Sequence, residues 1–446
     1  MKAALCSLGC AKNLVDSERI MAILKEYGFA LCDDPAAADI VIVNTCGFIA
    51  AAKEESVDAI IRCAALKEKN CRCLVVTGCL VQKYREELER EIPEVDLWLT
   101  SLNFETIGAR LRELFPETAS RPSYKEFRRV LATPPHWAYL KIAEGCDNRC
   151  TFCAIPEMRG PYVSRPMEEI LAEGEELVRR GVREVILLAQ DTTVYGRDLY
   201  GEPKLKELLK ALTKLDFLRI RVLYSYPERI DRELLELMAA EEKLCAYLDI
   251  PMQHVNDAVL KAMGRPERKR KLEALLALIR ETDSDFAIRS TFIVGFPGET
   301  EEAFAELLAF LEEARLDWVG VFPYSREENT AAYDLPDQID EETKNRRYDE
   351  AMALLSRCSA RNMERWLGRE ETVLIDGETD PDDPQAAAYP YYGRGSFQAP
   401  EVDGVIYLSA DGPHQRGDVV QALITGSDVY DLTGKILEEE GKRNER

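Results

Sequence analysis

The sequence predicts an α/β protein in three parts: an N-terminal parallel-sheet α/β domain, a central partial (β/α)6 barrel and a small C-terminal antiparallel β-barrel. Three observations carry this reading. Residues 1–110 alternate short β-rich runs with amphipathic stretches, the pattern of a parallel sheet with crossover helices. Residues 136–366 repeat strand then helix six times, fewer than the eight units of a full barrel. Residues 367–434 change to short alternating runs rich in Val, Ile, Tyr, Gly and Asp, parted by turn signals.

In the first part, strands are expected at Lys2–Leu8, Asp39–Asn44 and Cys73–Thr77, and helices over Val15–Tyr27 and Ala51–Lys69. Cys10, Cys46 and Cys79 each follow closely after one of these strands. Ligands in open parallel sheets sit at the carboxyl ends of the strands, so three thiols distant in sequence should meet there. Each has a glycine beside it, Gly9, Gly47 and Gly78, which permits tight turns and a close backbone approach. Cubane iron–sulfur clusters take four thiolates, so three imply a cluster with one open iron. The competing account is three buried core thiols. Cys6, Cys32, Cys63, Cys71, Cys73, Cys245 and Cys358 do not share the strand-end position and read as core or surface thiols.

Residues 111–135 carry prolines and mixed charge and read as a linker. Arg121, Lys125, Arg128 and Arg129 offer contacts to a ligand or partner, although a solvated connector is the plainer account. The barrel strands are expected at Tyr139–Ala143, Glu184–Gln190, Arg219–Tyr224, Ala246–Ile250, Phe286–Val294 and Trp318–Pro323, with helices such as Met167–Arg180 and Arg268–Thr282 between them. Just beyond the first strand lie Cys146, Cys150 and Cys153, where barrel chemistry belongs. Their C-x3-C-x2-C spacing again leaves one metal position open, the mark of a catalytic site. A zinc site needs a fourth ligand, and the next cysteine is Cys245. In the last part, strands are expected at Thr372–Ile375, Gly404–Leu408 and Asp418–Ile424, with turns at Asp376-Gly, Asp403-Gly and Asp411-Gly. The charged residues 435–446 are expected to fray.

Composition narrows the function. The 446 residues are 46% apolar and 31% charged, enough for a large core. No apolar run reaches the ~18 residues that span a bilayer, and the N-terminus has no signal-peptide pattern. Thirteen cysteines in such a chain read as thiols or metal ligands, so a cytoplasmic location and no membrane partner are expected. The net charge of −23 lacks the basic footprint of a nucleic-acid binder and attracts basic partners.

The C-x3-C-x2-C run with Phe152 before its last cysteine resembles the radical S-adenosylmethionine (SAM) enzymes. The three parts in order resemble the methylthiotransferase family over nearly the full chain. The stretches that carry this are Leu8–Glu18, Asn44–Phe48 and Val76–Cys79, then Tyr139–Cys146, Arg159–Arg165, Asp249–His254 and Phe292–Glu299. The end segment resembles a TRAM domain. The resemblance implies two 4Fe-4S clusters, an auxiliary one on Cys10, Cys46 and Cys79 and a radical-generating one on Cys146, Cys150 and Cys153. It implies that SAM is used twice, once to methylate sulfur at the auxiliary cluster and once to supply the deoxyadenosyl radical. It also implies an external electron donor and sulfur source. Some members modify an adenosine in tRNA, and others the β-carbon of an aspartate in a small-subunit ribosomal protein at the decoding site.

Gln190–Gly196, Phe322–Arg326 and Thr330-Ala resemble the protein-modifying branch. Charge supports it: residues 369–434 hold thirteen Asp and Glu against three Arg and no Lys, a net of −10. A basic ribosomal protein, free or on the ribosome, suits that surface better than tRNA. The plain alternative is that the acidity serves solubility. A rival of another class is a non-catalytic iron–sulfur protein that binds the ribosome or carries electrons, which needs no open iron.

SAM should lie across the strand ends. Candidates to hold it are Phe152, Gln190 at the end of the second strand, Arg289 for a carboxylate, and Gly295 with Gly298 for close approach. Gln253 and His254 follow the fourth strand, and a structural histidine is at least as good an account as a functional one. Glu299 is expected to cap the next helix. Lys12 and Asn13 beside Cys10 would orient sulfur or substrate, or Asn13 would cap the first helix. The basic run Arg265–Lys271 reads as a solvated helix start rather than an RNA contact. No catalytic residue is singled out beyond the cluster ligands.

Overall fold

A computed structural model describes residues 1–100, 104–116 and 129–437. Arg121, Lys125 and Arg128 of the expected linker, and residues 438–446 of the tail, lie outside them.

The N-terminal part runs β1 (Lys2–Ser7), α1 (Ala11–Glu26), β2 (Ala30–Leu31), β3 (Ile40–Thr45), α2 (Ala50–Ala64), β4 (Cys73–Gly78), α3 (Cys79–Glu91), β5 (Leu97–Leu99) and α4 (Phe104–Leu114). Its five strands are all parallel, in the order β2-β1-β3-β4-β5. β3 is buried at every residue because both faces are covered, which is why it reads as an unbroken apolar run. Its period-two alternation sends Val41 and Val43 to one core with Ile60, Val81 and Leu88. Ile40 and Ile42 go to the other, with Ile20, Leu24 and Leu111.

The central part runs β6 (Trp137–Lys141), β7 (Ala143–Glu144), α5 (Ile155–Arg159), β8 (Val163–Ser164), α6 (Met167–Arg179), β9 (Glu184–Leu188), α7 (Arg197–Tyr200) and α8 (Leu205–Leu212). It continues with β10 (Arg219–Val222), α9 (Arg232–Ala240), β11 (Tyr247–Asp249), α10 (Asp257–Ala262), α11 (Lys269–Thr282), β12 (Ala287–Val294), α12 (Glu301–Glu313) and β13 (Trp318–Pro323). Parallel sheets β6-β9-β10 and β11-β12-β13 are joined by a bridge between Ile220 and Leu244. The six strands thus make an arc, and among the described residues its ends, β6 and β13, do not pair: a partial (β/α)6 barrel. Leu140, Leu187, Val222 and Ile288 point outward into the helix-covered core. Trp137, Tyr139, Ile186, Tyr247 and Trp318 alternate with that outward face and point inward.

α13 (Glu341–Met363), capped by Asp340 on the Thr343 N–H, leads to β14 (Glu370–Glu378), β15 (Tyr391–Arg394), β16 (Ile406–Ser409), β17 (Val419–Ser427) and β18 (Leu432–Ile436). These close into a barrel in the order β14-β15-β16-β18-β17. Every pair is antiparallel except β16 with β18, a departure from the all-antiparallel expectation. Asp376-Gly377 is also not a turn. It is a register shift inside β14, where an extra residue bends the strand instead of ending it. β18 includes Lys435, so the ordered barrel extends past the point where fraying was expected.

This small barrel seals the inner face of the arc. Trp318 Nε1 donates to the Phe397 carbonyl at 3.0 Å, and Phe397 stacks on Trp366 at 3.7 Å. Tyr139 Oη donates to Glu401 at 2.9 Å and Tyr247 Oη to Asp403 at 2.7 Å. Beneath them Glu184 holds Arg221 at 2.9 Å and Arg394 at 2.8 Å, and Asp376 holds Arg394 and His136 at 2.7 Å each. Removing one partner of such a buried pair costs about 3–5 kcal/mol, because it leaves the other charge buried and unpaired. Among the described residues no helix is long and apolar enough to cross a membrane.

Candidate metal centres and the contact between them

The first cysteine set sits where the topology wants a ligand. The chain leaves β1 toward β2 on one side and returns to β3 on the other, and the crevice at such a reversal is the usual binding point of an open sheet. Cys10 is the N-cap of α1, Cys46 follows β3 directly, and Cys79 is the first residue of α3. Two glycines are required for this convergence. Gly9 has φ +85°, and a Cβ there would stand 2.6 Å from the Cys46 Cβ. Gly78 has φ +104°, and its Cβ would stand 2.6 Å from Asn44 Oδ1. The loops are cross-braced. Asn13 Nδ2 donates to the Leu8 and Thr45 carbonyls at 2.9 Å each, and Ser56 Oγ donates to the Cys46 carbonyl at 2.8 Å. Burial, with the charge of the neighbouring thiols, pushes the Cys79 thiol up to about 11 and raises Cys46 as well. The raised Cys46 and Cys79 thiols hold their protons, so a metal that takes them must displace those protons.

The second set lies on the loop after β7. Thr151 anchors it by donating from its N–H to the Met263 carbonyl at 2.9 Å and from Oγ1 to the Ala262 carbonyl at 2.8 Å. Asn148 Nδ2 donates to Asp191 at 2.9 Å, and Arg229 reaches both of them. Burial pushes the Cys153 thiol up to about 12, and the Arg265 guanidinium pulls against it. Arg265 lies 3.8 Å from Cys150 Sγ and 4.1 Å over the Tyr226 ring. Among the described residues no three His, Cys, Asp or Glu side chains converge as the ligands of a single ion. A cubane places each thiolate on a different iron, so its ligands stand farther apart than those of one ion, and two sets of three thiols suit it.

The segments that carry the two sets pack against each other. Cys79 packs on Ala154 and Met158, directly after Cys153. Lys12 stands 3.3 Å over the Tyr224 ring, Lys53 pairs with Glu327 at 2.6 Å, and Lys141 donates to Asp16 and, at 2.7 Å, to Glu144. Arg159 reaches across from α5 to Cys79, Asp16 and Asn13. Burial alone would raise Glu144, but Lys141 and Arg159 hold it at about 2.

The candidate SAM residues fall into different places. Gln190 Nε2 donates to Glu144 at 2.7 Å, while its buried Oε1 has no hydrogen-bond partner among the described residues. Phe152 meets Phe296 edge-on at 6.5 Å and anchors the cysteine loop. Arg289 is held by Asp249 and Asp403, each at 3.4 Å, so a ligand carboxylate there must compete with both. Gly295 has its Cβ side filled by Lys344 and its N–H bound to Glu299, which makes it a packing position. Glu299 does not cap the next helix. Thr300 does, and Glu299 instead binds Gly295, His254 and Arg347. His254 accepts from the Asn256 N–H at 3.0 Å and faces Glu299, a structural histidine. Asn13 braces the cysteine loops instead of capping α1.

Sequence reasoning missed Asp16, Lys141, Glu144 and Arg159. Their signal was faint: α1 carries Lys12, Asn13, Asp16, Ser17 and Glu18 within seven residues, and all five are buried. A polar run that dense at a helix start marks a face turned toward another polar surface.

Residues 2–100 match a family described as uncharacterized protein family UPF0004, residues 140–311 the radical SAM superfamily, and residues 367–437 the TRAM domain. A Geobacter sulfurreducens protein named ribosomal protein uS12 methylthiotransferase RimO is 44% identical, covering 98% of each chain. A Desulforamulus reducens protein of the same name is 45% identical over 97% of this chain and 99% of its own. Among solved structures, the radical SAM methyltransferase TsrM from Kitasatospora setae, with cobalamin and a 4Fe-4S cluster bound, matches with a TM-score of 0.55 at 15% identity. That match covers 72% of this chain and 75% of the other, and speaks to fold alone.

Proposed function

This chain belongs to the RimO family of ribosomal protein methylthiotransferases, and we propose on that premise that it attaches a methylthio group to the β-carbon of an aspartate in ribosomal protein uS12. It is a radical SAM enzyme, and its cofactors are two 4Fe-4S clusters and SAM. When bound, these supply hydrogen abstraction from an unactivated carbon and the methylthio donor, chemistry no side chain provides.

What supports the proposal most is two sets of three thiols on loops that meet, with Cys79 packed on Ala154 and Met158 and bound by Arg159. We assign Cys10, Cys46 and Cys79 to the auxiliary cluster and Cys146, Cys150 and Cys153 to the one that works with SAM. Arg265 places a positive charge 3.8 Å from Cys150 Sγ. Gln190 Oε1 offers its unused acceptor to an ammonium group, which suits the amino group of SAM. Arg289 takes the weaker part, since its charge is already shared by two carboxylates.

The substrate side rests on charge. Two of the thirteen acids of the small barrel, Asp376 and Asp403, turn inward to arginines. Glu370, Glu378, Asp380, Asp382, Asp411 and Asp428 are exposed. Such surface charge attracts a basic protein and repels phosphate. The reaction consumes sulfur and electrons, so an external sulfur source and reductant belong to it.

The test is mass spectrometry of uS12 and of an adenosine-modified tRNA after anaerobic incubation with the reconstituted protein, SAM, sulfide and reductant. A methylthio gain on uS12 alone is expected. A gain on tRNA alone would overturn the substrate assignment.

A further inference from the structure

Arg159 opens the stretch Arg159-Gly-Pro-Tyr-Val-Ser-Arg165, which has no part in holding either set of thiols to metal. It ends α5 in the barrel, yet three of its four partners belong to the N-terminal part. Its Nε donates to Cys79 Sγ at 3.2 Å, one terminal nitrogen to Asp16 Oδ2 at 2.8 Å and Glu144 Oε2 at 3.3 Å, and the other to Asn13 Oδ1. The side chain is only 6% exposed.

Each partner leads to one cysteine site. Asn13 braces the turns that carry Cys10 and Cys46. Glu144 lies two residues before Cys146 and is bound by Gln190 and Lys141. A single planar guanidinium therefore touches the supports of both sites and one of the sulfurs directly.

We propose that Arg159 is the positioning residue that couples the two sites, fixing their separation with its fork and biasing the auxiliary cluster through an N–H···S bond to Cys79. The proposal rests on Cys79 being a ligand of that cluster. A hydrogen bond from a cation to a ligating sulfur stabilises an added electron and makes the cluster easier to reduce. Lysine keeps the charge but loses the fork, so it is no conservative replacement here.

The test uses full-length protein in which Cys146, Cys150 and Cys153 are alanine, so that only the auxiliary cluster forms and Arg265 has no cluster to report. With isotope-labelled arginine nitrogen, pulsed electron paramagnetic resonance of the reduced cluster should show a nitrogen coupling, and Arg159→Lys should abolish it. A cluster that forms without the coupling would overturn the proposal. Failure of any cluster to form there would refute the ligand assignment instead, and the proposal with it. With all six cysteines present, Arg159→Lys and Arg159→Met should make the auxiliary cluster harder to reduce. Methylthio product per SAM cleaved should fall about tenfold or more, the usual scale for the partners of metal ligands. An unchanged potential and an unchanged product ratio would also overturn it.

Discussion

Gly78 shows how much of the site depends on single residues. Its φ of +104° with ψ of −168° is open only to glycine, and a Cβ would meet Asn44 and the Thr45 backbone. Gly78→Ala should therefore displace Cys79 and cost the auxiliary cluster, seen as loss of about half the iron per chain. Gly28, at φ +83° with open space around it, is the control: Gly28→Ala should lose roughly 1–2 kcal/mol of stability and keep its iron. Full iron in Gly78→Ala would refute the argument. At this scale the cysteines were legible because strand ends and spacing expose them. Asp16, Glu144 and Arg159 were not, because a charge gives no sign of burial until another element meets it. The partners of Arg289 were hidden for the same reason: Asp249 and Asp403 come from a barrel strand and from a domain more than a hundred residues later.

At the scale of elements, hydrophobic period carried most of the reading. The six barrel strands and β1, β3 and β4 were expected within a residue or two of where they stand, since each is a run long enough to show its period. β2, with two residues, is too short to show one, and β5 (Leu97–Leu99) was not expected. β15 and β18 were missed because Gly393 and Gly434 break their apolar alternation. The parallel β16–β18 pair follows from barrel closure, which no local pattern encodes. The loop between β15 and β16 carries the interface to the central arc, and Asp403 is its fully buried carboxyl. Burial raises Asp403 to about 6, against the pull of Arg289 and the Tyr247 hydroxyl. A carboxyl whose folded pKa lies above its unfolded value of 3.8 favours folding below that value, and the benefit is lost as pH rises through about 6. Relative to Asp403→Asn, the parent should thus lose stability between pH ~4 and ~6, by up to about 3 kcal/mol, and stay level above pH ~7. Paired thermal melts of the two proteins measure this, and a constant difference across that range would refute it.

The whole molecule is three parts docked on one another. The N-terminal sheet brings three strand ends to a point, the barrel arc presents its first loop to that point, and the small barrel fills the arc from within. Sequence order foretold the parts but not their docking. Docking is set by pairs such as Lys53–Glu327, Arg394–Glu184 and Lys141–Asp16, which are scattered through the chain. The central claim is that each set of three thiols carries its own cluster. Iron and sulfide content after anaerobic reconstitution tests it most directly, in the parent and in two triple variants, Cys10, Cys46 and Cys79 to alanine and Cys146, Cys150 and Cys153 to alanine. The account expects about eight irons per chain in the parent and about four in each variant. Full iron in either variant, or loss of all iron from one folded variant, would contradict it.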